Sequence, residues 1–580
     1  MEDRSASMLE LKAIRVPHGE YDVVVLGGGL AGLSLALQLK RQRPETRVLV
    51  TDKRTEPAPE AAFKVGESSV EIGAHYYREV LGMRDHLEQS QLRKLGLRFY
   101  LPAGDNSDIT KRVEFCTPAH LDAFTHQIDR GRFENELFRR CLKEGADAYR
   151  GWRVQDVALG DDLHTITMTQ DDETATVAAR WVVDATGRGN VLRKQLGLGT
   201  ETGHHINAAW IRLGGGLDIE DWSDDQEWLD RMPEPGLRRL STTHLIQPGY
   251  WLWLIQLASG PISIGVCADP RFHPFEQISS FDAFMDWLQR NEPQLFAEID
   301  GRREDVLDFL RVENFSYASS QVFSADRWTL VGEAGGFIDA LYSPGSDFIA
   351  YMNTFSGELI KRELDGEDVT ELADFYNDFF FRLFNPTIEL YRDNYQLFGN
   401  PQVMVAKFVY DSLTYFTTLG TAFCHGLMSD PADIEKLGEV FEEVIPLLPI
   451  MQRLFRDWNE LDQRKWEGVS VLSKEFMPYI NAQADMARPG NRDEVIARSK
   501  QHVETVKAMA LWIFQKAAKC LPEQPDDQRP INLYALSLHP DRWEADGLYA
   551  EQGMTIAEAI ELLPGVEEMD LEARGAVVAG

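Results

Sequence analysis

The feature that most constrains the fold of this chain is a run of small residues, Gly27-Gly28-Gly29-Leu30-Ala31-Gly32. The flanking patterns predict a strand over 21–26, a helix over 30–43 and a second strand over 47–51. These three elements make a compact βαβ unit, which opens a parallel sheet. Asp52 follows the second strand, twenty residues beyond the last glycine.

Each glycine of this G-x-G-x-x-G pattern has its own physical role. Gly27 permits a tight turn, Gly29 lets a pyrophosphate approach the backbone, and Gly32 lets the helix and strand pack closely. The helix N-terminus offers unpaired N–H groups to the phosphates, and Asp52 can accept the ribose hydroxyls. The pattern therefore predicts a dinucleotide site; the alternative is a glycine turn in an α/β domain without a ligand.

The length of the chain predicts more than one folding unit. It has 580 residues, whereas single hydrophobic cores stop growing at roughly 250–300 residues. We expect a flexible leader over 1–20, a mixed α/β domain with an added antiparallel sheet over 21–390, and a mainly helical domain over 391–580. The helical expectation rests on long amphipathic patterns at 434–459 and 493–519.

Charge and cysteine content restrict the class of function. The net charge of −34 disfavours nucleic acid and anionic lipid as partners. The 5 cysteines are far apart and lack metal-ligand spacing, so reduced thiols, a cytoplasmic location and no metal site are predicted. No secretory signal is evident, and the most apolar stretch, 403–428, is interrupted by Lys407, Asp411 and His425, so no transmembrane segment is expected.

Two later segments distinguish among dinucleotides. Val183-Asp184-Ala185-Thr186-Gly187-Arg188 and Thr329-Leu330-Val331-Gly332-Glu333-Ala334-Gly335-Gly336 are strands that run into turns of small residues. Together with the first glycine run they resemble the three FAD-contacting segments of the flavoprotein monooxygenase superfamily. The resemblance implies that Asp184 and Gly187 approach FAD, and that Glu333 stands where an aspartate usually binds the ribityl chain.

Nicotinamide binding is not predicted, because no second G-x-G-x-x-G in a strand-to-helix context occurs. We therefore expect the flavin to be reduced by a separate flavin reductase.

A tryptophan pattern narrows the family further. Tyr250-Trp251-Leu252-Trp253-Leu254-Ile255-Gln256 contains W-x-W-x-I, with Gln256 where a proline is usual. In a strand, Trp251, Trp253 and Ile255 share one face and form a bulky wall. The alternative is an aromatic strand that serves only packing.

Three more segments support one family. Val65-Gly66-Glu67-Ser68-Ser69, Arg93-Lys94-Leu95-Gly96-Leu97-Arg98-Phe99 and Asp339-Ala340-Leu341-Tyr342-Ser343-Pro344-Gly345-Ser346-Asp347-Phe348-Ile349 are similar to the flavin strap, the lysine segment and the flavin–halide turn of flavin-dependent halogenases. The resemblance covers about 21–400 and is greatest to halogenases of the chloramphenicol-biosynthesis type, which carry a helical C-terminal domain.

That resemblance implies a set of site residues. Lys94, Tyr391 and Ser346 would be catalytic, and Pro344, Gly345 and Ser346 would hold the halide. The residues expected to bind FAD are Gly27, Gly29, Leu30, Ala31, Gly32, Asp52, Lys53, Glu67, Ser68, Arg130, Asp184, Gly187, Trp251, Trp253, Gly332, Glu333, Asp339, Pro344 and Gly345.

The substrate is predicted only as a class. Indole-directed halogenases place a substrate-binding glutamate where this chain has Tyr342, so free tryptophan is not expected. By analogy the substrate is an aryl or acyl precursor of a natural product, free or tethered to a carrier protein. The turn at 343–346 can also be a flavin loop without a halide, and Tyr391 can be an aromatic residue of a helix interface.

The activity implied by the resemblance is FADH2-dependent halogenation with oxygen and chloride or bromide, through hypohalous acid controlled by Lys94. Alternatives are a flavin monooxygenase or dehydrogenase of the same fold, and a non-catalytic flavin-binding partner of a biosynthetic assembly line. Alternation over 92–100 predicts a half-buried strand with Lys94 and Arg98 on its less apolar face, where lysines are usually solvated.

Overall fold

The computed structural model describes residues 16–61, 64–116, 124–462, 464–472, 476–575 and 577–578. Positions 1–15 of the expected leader lie outside these ranges, and the first strand already begins at Gly19.

Twenty-two strands occur in the described ranges. They are β1 (Gly19–Leu26), β2 (Val48–Asp52), β3 (Leu92–Arg93), β4 (Leu97–Leu101), β5 (Val113–Cys116), β6 (His126–Gln127), β7 (Asp147–Arg150), β8 (Arg153–Ala158), β9 (His164–Gln170), β10 (Glu173–Asp184), β11 (Gly199–Thr200), β12 (Asn207–Leu213), β13 (Thr242–Gln247), β14 (Tyr250–Gln256), β15 (Ile262–Ala268), β16 (Val306–Val312), β17 (Ala318–Ser319), β18 (Phe323–Ser324), β19 (Trp328–Leu330), β20 (Lys465–Trp466), β21 (Ser470–Leu472) and β22 (Val577–Val578).

The α-helices alternate with the early strands and dominate the later part of the chain. They are α1 (Leu30–Gln42), α2 (Glu71–His75), α3 (Arg84–Ser90), α4 (Arg130–Lys143), α5 (Val191–Gln195), α6 (Gln226–Leu229), α7 (Phe281–Asn291), α8 (Pro293–Asp300), α9 (Gly345–Leu364), α10 (Thr370–Glu389), α11 (Pro401–Tyr415), α12 (Thr421–Cys424), α13 (Pro431–Lys436), α14 (Gly438–Val444), α15 (Leu447–Leu461), α16 (Met477–Met486), α17 (Arg492–Ala518) and α18 (Ile556–Glu561).

The first sheet places the expected flavin segments side by side. Its main strand order is β18-β19-β10-β1-β2-β7, and β1 pairs in parallel with both β10 and β2. Because β19 also runs parallel to β10, the carboxyl ends of these strands meet at one edge. In α/β sheets of this kind, ligands bind at that edge.

The centre of this sheet is buried on both faces. Val23, Val24, Val25 and Leu26 in β1 are fully inaccessible to solvent, as expected for a parallel strand covered by helices. Full burial of each such side chain contributes about 1.5–3 kcal/mol, so the strand is fixed firmly beneath the glycine turn.

The second sheet is mainly antiparallel, in the order β16-β12-β15-β14-β13-β4-β5-β21. β14 and β15 pair in an antiparallel hairpin whose turn lies around 258–261. Together with the first sheet and the helical C-terminal region, it confirms the predicted mixed α/β class.

The C-terminal region is joined to the rest of the molecule rather than set apart from it. β21, although it follows residue 390, extends the second sheet by pairing in parallel with β5. One continuous hydrophobic core runs from Val23 in β1 to Leu571 near the C-terminus, and a second core fills the space between the outer face of the second sheet and α7 and α8.

Two local expectations differ from the structure. The pattern over 434–459 forms three helices, α13, α14 and α15, instead of one, with Pro446 just before α15. The expected strand over 92–100 is interrupted between β3 and β4, where Gly96 adopts φ +76.

Candidate functional site

The glycine turn between β1 and α1 leaves no room for a Cβ at Gly27 or at Gly32. Gly27 has φ +111, and a Cβ there would lie under 3.0 Å from the carbonyl oxygen of Ala185. A Cβ on Gly32 would come equally close to the carbonyl oxygen of Gly27. Gly29 caps α1, whose first N–H groups have no partner within the helix.

A cluster of charges borders this turn. Arg54 pairs with Asp52 at 2.9 Å and donates to the carbonyl oxygen of Gly28 at 3.0 Å. Lys64 and Arg130 bind Glu134 at 3.0 and 2.7 Å.

The cations of this cluster outnumber its carboxylates. Burial favours the protonated form of Glu134, but Arg130, Lys64 and Arg54 outweigh burial and lower the pKa of Glu134. The cluster therefore stays charged, and its cations can neutralise a pyrophosphate at the N-terminus of α1. Sequence reasoning missed Arg54, Lys64 and Glu134, although the basic residues Lys53 and Arg54 directly after Asp52 were a usable signal.

The other two FAD segments follow β10 and β19. Asp184 is fully buried and accepts hydrogen bonds from the backbone N–H groups of Thr186 and Leu192, so it shapes the turn rather than lining the cleft. Gly187 lines the cleft with φ +59. Glu333 also lines it, and its carboxylate lies 3.6 Å from Arg188.

The tryptophan strand β14 forms a wall of the same cleft. Trp251, Trp253 and Ile255 all line it, and the two indole rings lie 5.6 Å apart at their centroids. Trp253 donates through Nε1 to the hydroxyl of Ser263 at 3.1 Å.

A buried hydrogen-bond chain holds the other indole. Trp251 donates to the Tyr395 hydroxyl, which donates to Asp339 at 2.8 Å. His204 Nε2 lies 2.7 Å from the same carboxylate. Asp339 thus supports the wall from behind and does not line the cleft.

The strap segment bridges the two sheets. Glu67 is buried and paired with Arg212 at 2.9 Å; burial raises the pKa of Glu67, and Arg212 opposes that shift. Ser68 lines the cleft, and its hydroxyl accepts from Thr242 and Ser343 at 2.9 and 3.0 Å.

The resulting cleft has a volume of about 770 Å³, within the usual range for cofactor sites. Of the expected FAD residues, the following line it: Gly27, Gly29, Leu30, Ala31, Asp52, Lys53, Glu67, Ser68, Arg130, Gly187, Trp251, Trp253, Gly332, Glu333 and Gly345. Gly32, Asp184, Asp339 and Pro344 do not line it. The cleft fits FAD. Its crowded glycines, free N–H groups and basic side chains suit the pyrophosphate, and its indole wall suits a flat ring system.

The expected halide turn connects the cleft to a second cavity. Ser343 has φ +57, Pro344 caps α9, and the helix begins at Gly345. The backbone at Gly345 and Ser346 lines the cleft, whereas the Ser346 side chain is directed at Gly73, where a Cβ would lie under 3.0 Å from Oγ. The Ser346 hydroxyl is thus not directed into the cleft, and its N–H at the helix start is the group left for an anion.

The second cavity is a chamber of about 170 Å³ between the second sheet and the C-terminal helices. Lys94, Pro344 and Asp347 lie at its inner end, and Phe348 borders both cavities. Phe99 stacks on Phe408 of α11 with ring centroids 3.8 Å apart. The aromatic residues after 390 that line it are Tyr391, Phe408, Tyr415, Phe416, Phe441 and Tyr479.

Lys94 is buried, with 1% of its surface exposed, so the alternative of a solvated lysine does not hold. The break before β4 turns its side chain inward, where Nζ donates to the Ser68 hydroxyl and the Ser69 carbonyl oxygen, both at 2.8 Å. Burial lowers the pKa of Lys94 to about 8, and the negative charges of Glu71 and Asp347 oppose that shift.

Arg98 is equally buried but serves a structural role. It pairs with Glu114 of β5, which also binds Arg238 at 3.1 Å.

Tyr391 lines the chamber and not the flavin cleft. Its ring centroid lies 5.9 Å from that of Tyr342, whose hydroxyl donates to Asp411 at 2.9 Å. Burial raises the pKa of Tyr391, so the phenol stays protonated.

Comparison with known proteins agrees with this site. Residues 20–259 match a family model described as an FAD binding domain. The flavin-dependent halogenase chlA of Dictyostelium discoideum is 27% identical over 438 residues, which cover 70% of each chain. Tetracycline 7-halogenase of Kitasatospora aureofaciens is 27% identical over 61% of this chain and 66% of its own length.

Solved structures show the same fold. Halogenase PltM superposes with a TM-score of 0.60 at 18% identity, over 84% of this chain and 96% of its own. CmlS, a flavin-dependent halogenase, gives a TM-score of 0.51 at 18% identity, over 77% of this chain and 80% of its own.

Fold and site together define an FAD-binding oxidoreductase. Its relatives narrow this class, because the chain is similar to flavin-dependent halogenases, to one of them over 70% of its length. Among the described helices none is long and apolar enough to cross a membrane.

Proposed function

We propose that this protein uses reduced FAD, oxygen and chloride or bromide to halogenate an aryl or acyl precursor in the chamber at Lys94. The observation that carries the proposal is the position of Lys94. Its ammonium group is bound to Ser68, which lines the flavin cleft, and it also borders the chamber. One group thus reaches both the source of oxidant and the substrate.

Reduced FAD, when bound, reacts with oxygen and supplies the oxidising equivalents that turn halide into hypohalous acid. The chain's part is to hold the halide, and the N–H groups at the start of α9 are placed for that role. Trp251 and Trp253 form an apolar wall of the same cleft.

Lys94 then controls the oxidant. Because its pKa is lowered only to about 8, most of the side chain is protonated at neutral pH. This supports a hydrogen-bond donor to hypohalous acid over a neutral amine that forms a haloamine. Tyr391 in the chamber wall is proposed to contact the substrate.

A separate flavin reductase is proposed to supply the reduced cofactor, since the chain carries one dinucleotide fingerprint. The cysteines of this chain, all unpaired, support a reducing cytoplasmic location.

The chamber and the relatives support the proposed substrate class. One relative is named as a brominase of a pyrrole-2-carbonyl group on a peptidyl carrier protein, and a solved PltM structure contains phloroglucinol. These support an aromatic substrate, free or carrier-bound.

Mass spectrometry tests the proposal directly. The protein, reduced FAD, oxygen and chloride or bromide are incubated with free and carrier-tethered arenes and acyl groups. A product heavier by one halogen minus one hydrogen is expected; products that carry oxygen regardless of halide indicate a monooxygenase instead.

A further inference from the structure

A carboxylate of unexplained role lies at the inner end of the chamber, next to Lys94. Asp347, in the first turn of α9, is 4% exposed and borders the chamber. One of its oxygens accepts from the backbone N–H of Gly73 and the other from the Tyr415 hydroxyl, both at 2.8 Å. The Tyr415 oxygen accepts from the N–H of Ile72 at 3.0 Å, so the carboxylate is held in one orientation.

The Asp347 carboxylate can accept more hydrogen bonds than these two. An ionised aspartate has about four acceptor positions, and the two hydrogen bonds occupy two of them. A protein rarely buries such a group without a partner for it, because desolvation of an unpaired charge is costly. A hydrogen-bond donor on the substrate would occupy an acceptor position of Asp347 that remains open.

A second hydrogen-bond acceptor in the chamber, the side-chain carbonyl oxygen of Gln483, also favours a ligand that donates a hydrogen bond. Gln483 of α16 donates to Glu71 at 2.9 Å, but its own carbonyl oxygen is buried without a hydrogen-bond partner among the described residues. Gln483, Glu71 and Asp347 all border the chamber. The inner end thus offers acceptors, and a neutral donor such as a hydroxyl suits it better than a carboxylate.

The size of the chamber limits what carries that hydroxyl. Its volume of about 170 Å³ is close to the roughly 150 Å³ of a cavity that holds one benzene molecule. Stacked Phe99 and Phe408 supply apolar walls for a flat ring.

We propose that Asp347 is a catalytic base that takes the hydroxyl proton of a monocyclic hydroxyarene bound in this chamber. The inference rests on the halogenation proposed above.

The proton and electron balance is complete with Asp347 and Lys94 alone. Asp347 accepts the hydroxyl proton, and the ring carbon attacks the halogen of hypohalous acid. The carbon–halogen bond forms, the halogen–oxygen bond breaks, and the released hydroxide takes a proton from the Lys94 ammonium to become water. The amine then accepts the proton of the halogenated ring carbon, and Asp347 returns its proton to the oxygen.

The electrostatic surroundings suit this exchange. Burial raises the pKa of Asp347 to about 7, and Glu71 adds to that shift while Lys94 opposes it. The other titratable groups that interact with Asp347 are Tyr77, Tyr351, Tyr391, Tyr415 and Cys424, and the pKa of each is raised by burial. None of these five loses a proton near pH 7, and loss of the Lys94 ammonium as pH rises through about 8 would lower the rate, so a rise of rate that Asp347→Asn removes would report on Asp347.

The test uses the full-length holoprotein with chemically reduced FAD and bromide. Phenol and resorcinol are compared with their methyl ethers, which lack the hydroxyl proton. Asp347→Asn should lower kcat for the hydroxyarenes by roughly 100-fold, the size of a lost general base. It should also remove the rise of rate between about pH 6 and 8, and Asp347→Glu should restore part of both.

The matched control is Asp433→Asn. Asp433 is an equally buried aspartate in α13, outside the chamber, paired with Arg492. It should keep kcat and the pH profile, whereas FAD content and melting temperature verify that both variants fold.

The outcomes separate the two proposals. If the wild type halogenates but Asp347→Asn stays within threefold of it, or the methyl ethers react as fast as the phenols, the role of Asp347 is refuted. If the wild type halogenates nothing in the panel or in the wider set of substrates, halogenation itself is refuted.

Discussion

At the scale of single residues, hydrogen bonds to a hydroxyl and a backbone carbonyl hold Lys94 among the described residues, rather than an ion pair. The Ser68 hydroxyl lies within hydrogen-bond distance of Lys94 Nζ and of the Thr242 and Ser343 hydroxyls, so the strap, the second sheet and the halide turn meet at one oxygen. A shift in any of the three elements would therefore move the ammonium group.

Replacement of Lys94 by alanine should abolish halogenation but leave FAD binding and oxygen consumption by reduced flavin nearly intact, because the lysine acts after the oxidant forms. Lys94→Arg should fail as well, since guanidinium has a different donor geometry and does not lose its proton. Loss of the donor to the Ser69 carbonyl should cost about 1–3 kcal/mol of stability. Product mass and oxygen uptake measure the two effects separately.

Lys516→Met is the control for removing a buried lysine. Lys516 in α17 is 4% exposed and pairs with Asp570, away from both cavities. It should reduce stability without loss of halogenation. Near-normal halogenation by Lys94→Ala would mean that another group controls the oxidant.

The pH dependence should reveal the protonation state in which Lys94 works. Its pKa of about 8 means that the ammonium form is lost as pH rises through 8. If the ammonium donates to hypohalous acid, kcat should fall above about pH 8. A rate that instead climbs through pH 8 would favour the haloamine route.

Sequence reasoning located Lys94 through its family motif but not its burial. Alternation over 92–100 assumed one strand, and the positive φ of Gly96 breaks it, so that Lys94 and Leu95 bond to Thr125 and Leu240 instead. The Asp347–Tyr415 and Lys64–Glu134 pairs were out of reach, because each joins positions about 70 residues apart that only the folded chain brings together.

At the scale of elements, the glycine turn gives the sharpest test of the flavin site. Gly27→Ala should prevent FAD retention, because the new Cβ would collide with the Ala185 carbonyl and the residue would keep a strained φ. The flavin absorbance per chain after desalting measures the loss.

Gly197→Ala is the control that separates the steric collision of a new Cβ from the backbone strain of a positive φ. Gly197 also has positive φ, +65, but a Cβ there meets nothing within 4 Å. It should cost about 1 kcal/mol of stability and retain FAD. Stoichiometric flavin in Gly27→Ala would show that the turn does not carry the pyrophosphate.

Element types were predictable where the hydrophobic period was strong, as in β1, α1 and β14. The predicted boundaries of helices and strands were wrong where a single residue interrupts the element although the hydrophobic pattern continues. Pro446 precedes α15 and cannot donate a backbone hydrogen bond, so an amphipathic period that spans it does not form one straight helix.

At the scale of the whole molecule, the continuous core predicts that the regions before and after residue 390 unfold together. Calorimetry should show one main transition, and FAD should raise the temperature of that entire transition by mass action. Two separate transitions, of which only the first responds to FAD, would show instead that the regions are independent domains.

The dependence on an external reductase is also a property of the whole chain. The purified protein should bind one FAD and oxidise NADH poorly until a flavin reductase is added. Efficient NADH oxidation by the isolated chain, monitored at 340 nm, would contradict the reading of one dinucleotide site.

The pairing of β21 with β5 bears on how the chain is made. The register joins Ser470 to Glu114, so the edge of the second sheet stays open on the ribosome until most of the chain has been synthesised. Unpaired edges are sites of aggregation, and synthesis proceeds at only about 5–20 residues per second. The β5 edge therefore stays unpaired for many seconds during synthesis, and we expect the yield of folded protein to rise when chaperones are supplied during expression.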